Sequence, residues 1–303
     1  MKTGTIVALA VAGILGGLVV AAVLWVYLRP LSVYAWMGRR TLRAVKVADV
    51  AVETPAGRQR AFVGGTGEVV VLLHGAGDQA GAWSRVVPAL VRSYSLIVPD
   101  LAGHGESEPR TGPIGVDRIL GGAEGVIETL AQGRRVTLVG NSLGAWVAML
   151  VAQRHPEWVE RVVAINGGAS KGTNAEAVVV PKTLADARAA MTQLRDPGSP
   201  ALPDFVLRDV VRQAASGPLA RFVATAGTMG QWTLDGRLGE ITAPVTLLWG
   251  VSDKVMPLDY ANRMLAELPS ARLVTLEKCG HVPQNECPEQ LLAALREVLE
   301  GKQ

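Results

Sequence analysis

The stretch "VTLVGNSLGAWVAML" at residues 136–150 decides the fold. Its first half is a run of β-branched and aliphatic residues that reads as a buried strand, and the segment from Leu143 to about Arg154 reads as a helix. Between them lies Gly140-Asn141-Ser142-Leu143-Gly144, a G-x-S-x-G pentapeptide at a strand-to-helix junction. A turn this sharp leaves no room for side chains beside the serine, so glycine is required on both sides. The serine hydroxyl is thereby carried past the carboxyl end of the strand, with a helix N-terminus facing any negative charge that develops there. A single pentapeptide in a chain with 34 glycines says little, so the reading depends on its surroundings.

Outward from this point the pattern repeats. "VVVLLHG" (69–75), "YSLIVPD" (94–100), "RVVAING" (161–167), "APVTLLWG" (243–250) and "ARLVTLE" (271–277) are short apolar runs of the kind buried on both faces of a parallel sheet. Helical stretches are predicted at Trp83–Val91 and near 116–132. "KVADVAVET" (46–54) and "QRAFVGG" (59–65) around "PAG" read as a hairpin. Strand–helix alternation predicts an α/β fold with helices on both faces of the sheet. Residues 170–240 break the rhythm, with the helical patches "KTLADARAAMTQL", "DFVLRDVVRQAA" and "PLARFVATAG" separated by "RDPGSPALP". A long structureless connection is uncommon in a compact domain, so this interval is expected to be a helical cap.

The chain's front end differs in kind. With 303 residues, 49% hydrophobic and only 19% charged, the chain is rich in apolar residues, and much of the excess lies between Thr5 and Leu28, 24 residues without a charge. Such a run spans a bilayer core of roughly 30 Å. It ends in "WVYLRP", with interfacial aromatics and no A-x-A-like cleavage site, so a retained anchor is expected over a signal peptide. Gly13 and Gly17 form a GxxxG pair, though glycine is common in membrane helices. The expected organisation is a transmembrane anchor (1–29), a basic juxtamembrane stalk (30–45), the sheet core (46–169 and 241–303) and the helical cap (170–240).

Residues 1–60 hold Lys2, Arg29, Arg39, Arg40, Arg43, Lys46, Arg58 and Arg60 against Asp49 and Glu53. Of the formal net charge of +3, this segment carries +6, leaving −3 for the rest. The basic character is therefore a property of the stalk, which suits an anionic membrane face and gives no support to nucleic-acid binding. Positive charge following the anchor favours the cytoplasmic side for the large domain. The two cysteines, Cys279 and Cys287, lack metal-ligand spacing and are too few for a disulfide framework; their proximity would permit a bridge in an oxidising compartment, but two buried or idle thiols are expected.

Serine is a poor nucleophile without a general base. Of the four histidines, His155 closes a helix, His74 and His104 lie in glycine-rich loops, and His281 lies in "EKCGHVPQNECPE" after the last strand. Only His281 follows the serine with a strand between them, in the chain order Ser, acid, His. The acid is expected to be Asp253 in "LLWGVSDKVMP", just past the end of a strand and 28 residues before His281. Glu286 and Glu289 are too close to the histidine in sequence. The N–H groups of Leu143 and of Ala76, in "HGAG", are the candidate oxyanion donors. His74 is expected to order its loop.

"LLHGAG", "VPDLAGHGES", "LVGNSLGA", "LLWGVSDKVMP" and "CGHVPQNECPE", in that order, resemble the α/β-hydrolase superfamily over about residues 45–300. Within it they are similar to the capped branch of membrane-anchored monoacylglycerol-lipase-like enzymes and bacterial lipases. The resemblance implies an eight-stranded, mostly parallel sheet with a cap after strand six, and neither metal nor cofactor. It also implies Ser142 as nucleophile, Asp253 as acid, His281 as base, and Ala76 with Leu143 as oxyanion donors. Ala76 departs from many relatives, which carry a bulky residue there.

The expected activity is hydrolysis of a small carboxylic ester. The anchor points to a lipid-like substrate and the membrane lipid as partner, and so do the cap's apolar residues, among them Val178, Val179, Leu194, Leu202, Phe205, Val206, Leu219 and Phe222. A C–C bond hydrolase, acyltransferase or perhydrolase would use the same triad. Ser142 disfavours epoxide hydrolases and dehalogenases, which need a carboxylate there. A silent, membrane-tethered binding protein would not need all the elements of the site.

Overall fold

The computed structural model describes residues 3–45, 47–172 and 180–301, so Val178 and Val179 lie outside the described residues. The hairpin comprises β1 (Ala48–Thr54) and β2 (Gly57–Gly64). It is followed by β3 (Val69–Leu73), β4 (Ser95–Pro99), β5 (Val136–Asn141), β6 (Val159–Ile165), β7 (Val245–Gly250) and β8 (Ala271–Leu276). They form one eight-stranded sheet in the order β1-β2-β4-β3-β5-β6-β7-β8. β2 pairs antiparallel with both β1 and β4, and every other pair is parallel.

β3 shows why these runs form central strands. All five of its residues are buried, with Val69, Val71 and Leu73 in one apolar cluster and Val70 and Leu72 in the other. A strand with side chains alternating between two covered faces has to be apolar throughout. The first face is covered by α4 (Val116–Ala131), α5 (Leu143–Arg154) and α10 (Leu258–Glu267), the second largely by the 80–85 turn, α3 (Val87–Leu90) and α12 (Pro288–Leu299). β8, at the sheet edge, is only partly buried.

The segment between β6 and β7 carries α6 (Leu184–Leu194), α7 (Asp204–Ala214), α8 (Pro218–Val223) and α9 (Ala226–Met229), at the places the three helical patches predict. A capping box starts α6, with Thr183 accepting from the Asp186 amide and Asp186 accepting from the Thr183 amide. The helix predicted at Trp83–Val91 is instead a 3-10 turn at Ala80–Arg85 followed by α3. Gly81 is pressed against another helix and Pro88 cannot donate in a continuing helix, so the segment breaks into two.

At the N-terminus, α1 (Thr3–Leu28) contains Val11–Leu28, a window long and apolar enough to cross a membrane, with mean hydropathy 2.4 and no residue buried. The following residues, expected to form a stalk, instead form α2 (Pro30–Ala44), which packs on the core. Arg39 is buried in an ion pair with Asp100, and Gly38 lies so close to Gly81 that a Cβ would stand 2.6 Å from its carbonyl oxygen. The basic stretch was expected to face an anionic membrane, but Arg39 turns inward, and Asp100 supplies the partner that makes its burial tolerable.

The expectation of two idle thiols is overturned. Cys279 and Cys287 form a disulfide whose two ends lie on either side of His281. The less favoured alternative, a single bridge permitted by their proximity, is the one present, and it closes one short loop.

Candidate active site

Ser142 sits between β5 and α5 with φ 55° and ψ −116°, a region that L-residues with side chains rarely occupy. Its flanking glycines serve close approach instead of unusual dihedrals. A Cβ on Gly140 would lie 2.2 Å from the Gly144 carbonyl oxygen, and one on Gly144 would lie 2.2 Å from that of Leu73. The strain is thus concentrated on the serine, at a cost on the order of 1–3 kcal/mol, and the packed surroundings hold it there. Ser142 remains partly accessible.

The structure brings the three predicted side chains together. His281 Nε2 lies 3.0 Å from Ser142 Oγ, and its Nδ1 lies 2.7 Å from Asp253 Oδ2. Asp253 Oδ1 accepts the amides of Val255 and Met256 at 2.8 and 2.9 Å, so that side of the carboxylate is filled by its own turn. With Nδ1–H donating to the carboxylate, Nε2 presents its lone pair to the serine hydroxyl. Asp253 and His281 are 3% and 5% exposed, so the hydrogen bond between them is shielded from water, while the serine end stays open to substrate. Such an arrangement can take a proton from a hydroxyl and return it to a leaving group.

The residues that position His281 were not found from sequence. Asn141 Nδ2 donates to the His281 carbonyl at 2.9 Å, and Asn141 Oδ1 accepts from Gln284 at 3.0 Å. One sheet position further along, Asn166, with φ 45°, donates to the Gly280 carbonyl at 2.6 Å and accepts the Gly250 amide at 2.8 Å. Glu286, set aside as an acid, accepts the amides of Gly280 and Asp196. The His281 amide itself donates to the Leu194 carbonyl at 2.7 Å, tying this loop to the end of α6. The one available signal was an asparagine at the carboxyl end of each of two neighbouring strands.

Leu143 is the first residue of α5, and first-turn amides have no intrahelical acceptor. The Gly75–Gly77 loop lies against the serine, since a Cβ on Gly75 would sit 3.4 Å from that of Ser142. His74 orders this loop: the Leu101 amide donates to its Nε2 at 2.9 Å, so its Nδ1–H faces the Gly75 carbonyl at 2.8 Å. Burial lowers its pKa to about 4, and burial likewise lowers that of His104 to about 3. Both are therefore neutral spacers at neutral pH.

A cavity of about 160 Å³ extends from Ala76 and Gly77 to Leu31, with side chains of α6, α7 and α8 along it. Of the apolar residues highlighted in the sequence, Leu194 and Leu219 line it, Phe222 is buried in the core, and Phe205 stacks on Tyr27. Gln213 is the sole polar side chain on its walls among the described residues. No group of three His, Cys, Asp or Glu side chains suited to a metal occurs among the described residues.

Residues 70–295 match the model of the alpha/beta hydrolase family. The chain is 30% identical over 246 residues to a 2-hydroxy-6-oxononadienedioate/2-hydroxy-6-oxononatrienedioate hydrolase of Cupriavidus pinatubonensis, covering 74% of this chain and 83% of that one. It is 30% identical over 253 residues to a pimeloyl-[acyl-carrier protein] methyl ester esterase of Aromatoleum aromaticum, covering 77% and 98%. Among solved structures, a membrane phospholipase A superposes with a TM-score of 0.76 at 25% identity, covering 97% of this chain and 98% of that one. Matched by this family's model over well more than half its length, the chain belongs to the alpha/beta hydrolase family.

Proposed function

We propose that this protein is a serine hydrolase that cleaves carboxylic esters carrying an apolar acyl group. The observation that carries this reading is the unbroken hydrogen-bonded line from Asp253 through His281 to Ser142. His281 Nε2 takes the hydroxyl proton as Ser142 Oγ attacks the ester carbonyl carbon. The Ala76 and Leu143 amides stabilise the resulting oxyanion, and Asp253 stabilises the imidazolium. The ester C–O bond then breaks and His281 protonates the departing alkoxide. A water molecule next gives its proton to His281 and attacks the acyl-enzyme, releasing the acid and returning the proton to Ser142.

A second reading, hydrolysis of a C–C bond, is supported by the similarity to the Cupriavidus enzyme. The substrates for which that enzyme is named are dianions, whereas the cavity here has no lysine, arginine or histidine on its walls among the described residues. A buried carboxylate without a partner is costly, which favours the ester. An apolar α1 supports a membrane anchor and a membrane lipid as the enzyme's surroundings. The Cys279–Cys287 disulfide supports an oxidising compartment for the hydrolase domain, against the side favoured by the basic residues alone.

A fluorophosphonate probe tests the mechanism. Labelling of the native protein and none of Ser142→Ala is expected; equal labelling of both would remove it. Turnover of p-nitrophenyl esters and not of meta-cleavage dienes is expected, and the reverse preference would establish the second reading.

A further inference from the structure

We infer that Leu31 and the facing side chains of α6, α7 and α8 form an acyl-chain subsite whose mouth lies at the membrane surface, so that the acyl chain of a membrane lipid ester enters it from the bilayer. This rests on the ester-hydrolase reading and names the substrate class for that site.

Three contacts along α7 trace the route. At its first turn, Phe205 stacks on Tyr27 of α1 with ring centroids 5.1 Å apart, so this helix begins beside the end of the apolar span. One turn on, the buried Asp209 accepts the Leu31 amide at 2.9 Å and is held by Arg212. Next, Val210 and Ala214 line the cavity opposite Met191 and Leu194 of α6. The path ends at Leu219, where a Cβ on Gly77 of the candidate oxyanion loop would lie 3.3 Å from the leucine Cβ. From Phe205 to Ala214 the helix rises about 14 Å.

The chemistry of the walls selects the ligand. A volume of about 160 Å³ with nearly apolar walls is comparable to the ~150 Å³ cavity that takes up benzene, enough for roughly six carbons of chain. Leu31 lies only three residues beyond Leu28, where the apolar span ends. A wall built by the continuation of the anchor itself places the opening at headgroup depth. Tyr27 stacked against α7, and the Leu31 amide held by Asp209, fix that wall to the insertion. An acyl chain can therefore leave one apolar medium for another without crossing water.

The test uses full-length protein reconstituted in phosphatidylcholine vesicles, with p-nitrophenyl octanoate and p-nitrophenyl acetate as paired substrates. Rates are normalised to the fraction of sites that a small fluorophosphonate labels. In Leu31→Trp the octanoate-to-acetate ratio of kcat/KM is expected to fall at least about tenfold, because the indole fills the space of several methylenes. Val210→Trp, on another wall, is expected to do the same and serves if Leu31→Trp does not fold. An unchanged ratio in labelled, folded variants would overturn the subsite. Absence of turnover of either ester by the native protein would instead remove the ester reading. For the route, a fluorogenic phosphatidylcholine is placed either in the enzyme's vesicles or in separate ones. Hydrolysis confined to shared vesicles is expected, and equal rates in both arrangements would overturn entry from the bilayer.

Discussion

The side-chain amide of Asn141 holds the main-chain carbonyl of His281 at 2.9 Å, so the residue before the serine fixes the backbone of the histidine that faces it. Asn141→Ala removes this tie and leaves Gln284 without its acceptor. A misplacement of about 1 Å costs on the order of 100-fold in rate. The expected result is a 10- to 100-fold fall in kcat on a short ester with KM little changed. A stopped assay with p-nitrophenyl acetate checks it, and the same loss through KM alone would refute the positioning role.

Asp253→Asn tests the acid. The amide preserves shape but favours the wrong imidazole tautomer, and a fall of about 10⁴ in kcat is expected. Combining it with Ser142→Ala should add little beyond the serine substitution, because the three groups act as a unit. Additive losses in steady-state kinetics would show that Asp253 acts outside this chain of hydrogen bonds.

Particular residues show what was legible in advance. Four of the five apolar runs became strands with two covered faces and the fifth became the half-buried edge strand β8. Ser142, Asp253 and His281 could be singled out because the proposed roles demand an order along the chain and a place at strand ends. Asn166 and Glu286 escaped because asparagine and glutamate satisfy main-chain groups in many loops, so their importance lies in who stands opposite. Arg39 was counted with the basic stretch that suits an anionic membrane face because its partner Asp100 is 61 residues away. The disulfide was ranked second because proximity along the chain permits a bridge without requiring one, and only the closed loop around His281 brings the two sulfurs together.

That Arg39–Asp100 pair makes a stability prediction. Asp100 also accepts the amides of Ala80 and Glu106 at 2.7 and 2.8 Å, linking α2 to two loops beside the site. Removing one member of a buried pair strands the other, so Arg39→Ala is expected to cost about 3–5 kcal/mol. Urea denaturation should show this, whereas Arg58→Ala, with an exposed ion pair at 3.9 Å, should change stability by less than about 1 kcal/mol.

The buried histidines set an acid limit. Their folded pKa values, about 4 for His74 and about 3 for His104, lie below the unfolded value of 6.5. Between those values the unfolded chain binds more protons, so stability is fully present above about pH 6.5 and declines as pH falls toward 4. Asp78, raised to about 7 chiefly by burial, acts in the opposite direction with one proton against two. Thermal melts from pH 7 to 4 should show Tm falling, and His74→Gln should flatten the slope. A native slope unaffected by this substitution would contradict the assignment.

Reduction tests the bridge. Closing a loop of this length is worth about 2–3 kcal/mol through the unfolded state. Cys279→Ser with Cys287→Ser is therefore expected to lower unfolding free energy by that amount and to weaken turnover, since the bridge brackets His281. Calorimetry and ester turnover, each with and without reductant, provide the check.

The docking of α2 has a consequence for where the enzyme can work. A domain on a flexible tether samples a range of heights and tilts above its membrane, and its reach grows with linker length. Here the span, the next helix and the domain are joined without slack, through Tyr27 on Phe205, Asp209 on Leu31 and Asp100 on Arg39. With α1 embedded as proposed, the serine is kept at one elevation and one orientation, and bonds at another depth stay out of its range however abundant they are.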